Sequence, residues 1–104
     1  MKKQFFIERL MGYKRQLQMS GGILVGANFI LEVGAYTIGL NDKRQTVLEI
    51  VNYPTQFTGE QVDDIIKGAV FTDINGNRVM PVAIPYKKWY QNKIESLEQI
   101  INFI

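Results

Sequence analysis

The sequence predicts an α+β fold, a single domain over residues 1–104 that combines three helices with an antiparallel sheet of about four to five strands. Apolar residues recur at helical spacing near both ends of the chain. Between these segments, β-branched and aromatic residues form short runs separated by turn residues. With 104 residues, 46% of them hydrophobic and 21% charged, the chain is long enough for one hydrophobic core and too short for two.

The first predicted element is an amphipathic helix over residues 3–18. Its apolar positions Phe6, Leu10, Tyr13 and Leu17 are spaced 4, 3 and 4 residues apart, so they share one helical face. We expect the helix to end before Ser20-Gly21-Gly22, because glycine disfavours helix continuation.

Residues 23–53 lose the helical period and predict two or three antiparallel strands, separated by Gly34 and by a polar turn at residues 41–44. The segment QTVLEIVNY, residues 45–53, carries apolar residues on both faces, which predicts a central strand. Pro54 ends that strand because it lacks the N–H that a sheet requires.

A capping box, Thr58 followed by Gln61, predicts the start of a short central helix that ends at Gly68. After this helix, the pair Asn75-Gly76 predicts a two-residue type I′ turn between two extended segments. Pro81 then places the second of these strands at a sheet edge or a bulge.

The helical period returns after Pro85 and predicts a C-terminal amphipathic helix. One stripe on this helix is apolar: Tyr86, Tyr90, Ile94, Leu97, Ile101 and Ile104. A shoulder beside the stripe is formed by Trp89, Ile100 and Phe103. Lys88 points to the opposite side, and Lys93 lies one turn beyond Trp89, where it can make a cation–π contact.

The sequence favours a cytoplasmic protein and argues against a membrane anchor. The chain has no cysteine, which excludes disulfides, cysteine-based metal sites and thiol nucleophiles. Glu8 and Arg9 interrupt the first apolar run, which argues against a signal peptide. The mostly apolar segment 21–40 is long enough to span a membrane, but Asn28 and Glu32 near its middle favour buried β-structure.

The sequence predicts a protein that is not an enzyme and that holds no cofactor or metal. There is no histidine and no cysteine, and neither serine therefore has a conventional triad base. The acidic group Glu60, Asp63 and Asp64 is typical of a first helical turn, where the dipole favours carboxylates. Neither DINGN, residues 73–77, nor GAYTIG, residues 34–39, continues as a calcium loop or a phosphate-binding loop would.

The preferred functional hypothesis is a small protein-interaction or regulatory module that acts by occluding its partner. Its contact residues are predicted on the last helix: Lys87, Lys88, Trp89, Lys93 and Phe103. The wide apolar arc of that helix needs cover, which is supplied either by one face of the sheet or by a partner or second copy of the chain, since large apolar patches often mark interfaces. Accessory proteins of phages and mobile elements, including inhibitors of host systems, often have this size and character.

Two alternatives stay open at this stage. The net charge is only +2, but both ends of the chain are basic, which allows nucleic-acid binding through the terminal helices. The basic residues concerned are Lys3, Lys14, Arg15, Lys87, Lys88 and Lys93. The other alternative is a small-ligand-binding or sequestering protein, with a pocket between sheet and helices or between subunits.

Overall fold

A computed structural model describes residues 2–20, 28–68 and 70–104 and confirms the predicted α+β fold. The three helices are α1 (Lys2–Ser20), α2 (Gly59–Gly68) and α3 (Tyr86–Phe103). The strands are β1 (Asn28–Val33), β2 (Tyr36–Leu40), β3 (Thr46–Glu49), β4 (Phe57–Thr58), β5 (Phe71–Thr72), β6 (Arg78–Val79) and β7 (Val82–Pro85). Five strands form one antiparallel sheet, and β5 and β6 form a separate hairpin.

The described residues form two compact units. One consists of α1 and α3, and the other contains the seven strands and α2. The single domain over residues 1–104 stays a prediction.

The structure confirms both terminal helices, which were predicted from the spacing of their apolar residues. α1 runs two residues past the predicted end, and it packs against α3. On α3, the predicted stripe turns inward along most of its length: Tyr86, Tyr90 and Leu97 are buried, and Ile94 and Ile101 are half-buried. Only its last member, Ile104, is exposed.

The central helix α2 begins at the predicted capping box. The Thr58 N–H donates to Gln61 Oε1 (2.8 Å), and the Gln61 N–H donates to Thr58 Oγ1 (3.2 Å). These reciprocal bonds satisfy two amide groups that the first helical turn would otherwise leave without partners. The helix ends at Gly68, as predicted.

Strand β1 lies at the centre of the sheet because both of its edges are paired. Phe29 is opposite Phe57 of β4 and also opposite Pro85 of β7. Glu32 is likewise paired on both sides, with β2 and with β7. β2 and β4 therefore share one edge of β1, and β7 occupies the other.

One face of the sheet carries the core of this unit. Its buried members are Leu31, Val33, Ile38, Phe57 and Val62. Val62 belongs to α2, and two further α2 residues, Ile65 and Ile66, pack on the same cluster. The β5–β6 hairpin adds Phe71 and Val79. The short helix and the hairpin thus cover one sheet face with apolar side chains, which is the main source of stability for such a layer.

The prediction that residues 45–53 form a central strand was wrong. β3 spans only Thr46–Glu49 and, among the described residues, pairs with β2 alone. The apolar residues of this segment are therefore not all buried: Leu48 is 43% exposed, and Ile50 just beyond the strand is 77% exposed. β3 lies at an edge of the sheet.

The turn between β2 and β3 is held by one asparagine side chain. Asn41 Oδ1 accepts from the N–H groups of Lys43 and Gln45, both at 2.9 Å. The Asn41 N–H donates to the Gln45 carbonyl (3.0 Å), and the Arg44 N–H donates to the Asn41 carbonyl (2.9 Å). Arg44 closes this turn with φ 61°, a left-handed conformation that is rare for residues with a Cβ.

The β5–β6 turn repeats this arrangement, so the predicted two-residue type I′ turn was wrong. Asp73 Oδ1 accepts from the N–H groups of Asn75 (2.9 Å) and Asn77 (2.8 Å), and the Gly76 N–H donates to the Asp73 carbonyl (3.0 Å). Of the central pair, only Gly76 has a positive φ, 81°. A type I′ turn needs two such residues, whereas a three-residue loop with a final left-handed residue needs one.

The apolar segment 21–40 is β-structure wherever the structure describes it. Residues 28–40 lie in β1, the turn that follows and β2, and residues 21–27 lie outside the described residues. No helix in the described ranges has the length and apolar character that crossing a membrane requires.

Because the two turns have the same hydrogen bonds, we expect opposite effects from exchanging their left-handed residues. Arg44→Gly should raise the free energy of unfolding by roughly 0.5–1 kcal/mol, since glycine adopts positive φ without steric cost. Gly76→Ala should lower it by about 1 kcal/mol through backbone strain alone, because a Cβ at Gly76 meets nothing within 4 Å. Urea unfolding of both variants measures these changes. A destabilised Arg44→Gly variant would contradict this account.

Candidate functional site

An aromatic cluster joins α1 to α3. The ring centroids of Tyr13 and Trp89 are 6.0 Å apart, those of Tyr13 and Tyr90 5.8 Å, and those of Trp89 and Tyr90 5.0 Å. The two Trp89 contacts are edge-on, with interplanar angles of 86° and 88°. Edge-to-face packing is the arrangement that aromatic quadrupoles prefer, so this cluster holds the two helices together.

Trp89, which was predicted to lie on the partner-contacting surface, is only 3% exposed. The physical reason is Tyr13, which belongs to a helix far away in the sequence. Lys93 lies as predicted, with its Nζ 5.1 Å from the centroid of the Trp89 ring. The indole therefore offers a partner very little surface, and it anchors the helix pair instead.

The six basic residues of the nucleic-acid hypothesis differ in their exposure and in their contacts. Lys14 Nζ lies 3.6 Å from Glu98 Oε2, an ion pair between α1 and α3. Lys3, Arg15 and Lys88 are exposed, and Lys87 is half-buried. Two of the six candidate phosphate contacts, Lys14 and Lys93, thus already have partners within the chain.

The last turn of α3 presents the apolar side chains that remain accessible on this helix. Phe103 is 92% exposed, and Ile100 and Ile104 are also exposed. We call these three residues the α3 end surface. Ser96, Gln99 and Asn102 line the same shallow depression and give it a polar rim. A compact apolar patch with a polar rim is typical of an interaction site.

Two features place negative charge near the α3 end surface. The last turn of α3 contains no basic residue, and the C-terminal end of a helix carries about half a negative charge from its free carbonyls. Glu95 is exposed two turns before Phe103. These features favour a cationic neighbour at this end of the helix.

Ile100 and Ile104 were not among the predicted contact residues. The signal for them was the width of the apolar arc, which continues to the sequence INFI at residues 101–104. The apolar spacing did not distinguish Ile100 and Ile104, which are exposed, from Trp89, which is buried, because all three lie within the same arc. Only the position of α1 decides which part of the arc is covered.

A second depression lies within the strand-containing unit, between the β1–β2 turn, β3 and the β5–β6 hairpin. It has a volume of about 330 Å³, and most of its lining is apolar, including Val33, Leu48 and Val79. This is near the lower limit for a small-ligand pocket. One carboxylate oxygen of Asp73, at its rim, already accepts two backbone N–H groups.

Within the described residues, no group of three or more acidic side chains is arranged to hold a metal ion. Comparisons with protein-family models, with curated proteins and with solved structures gave no match to this chain. The surfaces described above are therefore the features that indicate a function.

The two aromatic residues of the predicted shoulder should differ sharply in their effect on stability. Trp89→Ala should lower the free energy of unfolding by about 3–5 kcal/mol, because it empties a buried aromatic cluster. Phe103→Ala should change it by less than about 0.5 kcal/mol, because that ring is exposed. Chemical unfolding followed by circular dichroism measures both values. Equal losses would contradict the assignment of Trp89 to the core and Phe103 to the surface.

Proposed function

We propose that the protein is a non-enzymatic protein-interaction module that binds its partner through the α3 end surface. The observation that carries this proposal is the 92% exposure of Phe103 beside two exposed isoleucines. Residues three and four positions apart are neighbours on a helix, so Ile100, Phe103 and Ile104 form one contiguous patch.

This apolar patch is costly to leave in contact with water. Burying one phenylalanine or isoleucine side chain contributes about 1.5–3 kcal/mol, and an aromatic residue at the centre of a small patch is a common hot spot. Ile100 and Ile104 are 41% and 57% exposed, so they contribute less than Phe103, and the three residues together supply part of the binding energy of a contact with one apolar groove.

The charge around the patch specifies the partner further. The negative end of the α3 dipole and the exposed Glu95 favour a groove with basic residues at its rim. Such a partner would be attracted to this helix end, and an acidic surface would be repelled.

Occlusion is the simplest way in which a module of this size acts. A bound helix end covers a groove on the partner and excludes whatever else uses it, which needs no catalytic group. This mechanism fits a regulatory or inhibitory accessory protein, and we expect it to act in the cytoplasm, since the chain has no cysteine to form disulfides.

The nucleic-acid alternative has less support. Lys14 is paired with Glu98 and Lys93 lies over Trp89, which leaves fewer of the six candidates for phosphate. Titration with duplex and single-stranded nucleic acid at low and high salt is the direct check, because phosphate contacts weaken steeply as salt rises. Tight, salt-sensitive binding would favour this alternative over the proposal.

The test of the proposal is capture of a partner from the natural host by the immobilised protein. The double variant Ile100→Ser with Phe103→Ser should lose the captured protein while its circular dichroism spectrum stays unchanged. Ile74→Ser is the matched control, because Ile74 is a fully exposed aliphatic residue in the β5–β6 turn, and it should retain capture. Capture that survives the double variant, or that is lost equally in the control, would contradict the proposed surface.

A further inference from the structure

The loop between β5 and β6 contains a chemically reactive dipeptide. Asn75 is the only one of the seven asparagines in the chain that a glycine follows. In such a pair the backbone nitrogen of the glycine can attack Cγ of the asparagine side chain, because glycine has no Cβ to hinder the approach. Both Asn75 and Gly76 are exposed, and a Cβ at Gly76 would meet nothing within 4 Å. The described structure therefore leaves room around the two reacting groups.

The Asn75 side chain is free to turn toward the nitrogen of the next residue, since it makes no hydrogen bond to any described residue. The asparagine of the β2–β3 turn is held instead. Asn41 Oδ1 accepts from two backbone N–H groups, and Asn41 Nδ2 donates to Gln45 Oε1 (3.0 Å). The two turns share the same hydrogen bonds to the backbone, but an asparagine side chain closes one turn and lies loose within the other.

Asp73 keeps the attacking nitrogen occupied while the loop is closed. The Gly76 N–H donates to the Asp73 carbonyl (3.0 Å). Asp73 Oδ1 also accepts from the N–H groups of Asn75 (2.9 Å) and Asn77 (2.8 Å). Attack requires the Gly76 nitrogen to lose its proton and face the Asn75 side chain, so these bonds must open first. Because the loop is exposed and the hairpin has only two residue pairs, such local opening costs little free energy.

We propose that Asn75 is a site of spontaneous deamidation, and that Asp73 controls its rate by holding the loop closed. The Gly76 nitrogen forms a bond to Asn75 Cγ, the Cγ–Nδ2 bond breaks, and ammonia leaves, which gives a succinimide ring. Water then opens this ring at either carbonyl, and the products are aspartate and isoaspartate. The reaction consumes water, releases ammonia and needs no enzyme.

The modification affects the hairpin that covers the sheet core. The hairpin contributes Phe71 and Val79 to the core cluster, and these two residues are paired just before the loop. An aspartate in place of Asn75 adds a negative charge close to Asp73, and an isoaspartate also lengthens the backbone. Either product weakens the closed loop, so we expect the modified protein to unfold at a lower urea concentration than the fresh protein. Stability then declines with the age of the molecule.

Incubation of the folded protein at mildly alkaline pH, followed by peptide mass spectrometry, tests the site. The mass gain of an amide-to-acid change should accumulate at Asn75 faster than at any other asparagine. A methyltransferase specific for isoaspartate should label the same peptide. Gly76→Ala should suppress the reaction, although that variant opens more easily, because the added Cβ hinders the attack. An unchanged Asn75 in the folded protein, with rapid conversion in urea, would overturn the proposal.

Variants of Asp73 test the control of the rate. Asp73→Ala removes the side-chain acceptor of two N–H groups and should speed deamidation at Asn75 about fivefold or more. Asp73→Asn is the matched control, because it keeps an acceptor oxygen at the same position, as Asn41 does in the other turn. Its rate should stay close to that of the wild type. Equal rates in all three proteins would show that Asp73 has no control over the reaction.

Asp42→Gly separates the effect of the dipeptide from that of the structure. It places a glycine after Asn41, so that both turns contain the same reactive pair. Asn41 should still deamidate far more slowly than Asn75, because three hydrogen bonds hold its side chain. Equal rates at the two asparagines would mean that the dipeptide alone sets the rate, against the proposal. The wild-type measurement is decisive by itself if a variant does not fold.

Discussion

The strand-containing unit depends on β1 being hydrogen-bonded to other strands along both of its edges. Ile30 and Leu31 are fully buried, and a strand buried in this way must have all its N–H and C=O groups paired. Its partners come from three separate parts of the chain, β2, β4 and β7. The capping box at Thr58 contributes to the same constraint, because Thr58 both pairs with Asn28 and caps the first turn of α2. The covering helix is therefore fixed to the strand that it covers.

The other unit depends on aromatic contact instead. Tyr13, Trp89 and Tyr90 join α1 to α3 through three ring contacts, and the Lys14–Glu98 pair adds a weaker link at the surface. These contacts bury the upstream part of the apolar arc on α3. The downstream part, from Ile100 to Ile104, is left accessible, so the same helix that builds a core also presents a surface. The division between the two roles is made by where α1 packs.

The sequence predicted those features that depend on local chemistry. The helices at both ends, the Thr58–Gln61 cap and the stop at Gly68 are all encoded within a few residues. Features set by distant residues were not predictable. No residue near Trp89 in the sequence indicates that Tyr13 packs against it. The apolar residues on both sides of β3 likewise do not indicate that the sheet ends at this strand. The type of the Asn75-Gly76 turn was missed because Asp73, two residues earlier, captures two amides and enlarges the loop.

The unequal edges of the sheet have a consequence for the size of any assembly. A contact that uses the same strand in both copies is isologous. Each copy contributes that edge once, and the two-fold symmetry is then complete. Among the described residues, β3, β4 and β7 each pair with one neighbour, but β7 is preceded by Pro81 and ends at Pro85. Head-to-tail growth into a filament requires two complementary edges, and proline blocks further pairing at the β7 edge. The sheet is therefore poorly suited to growth by repeated addition of copies.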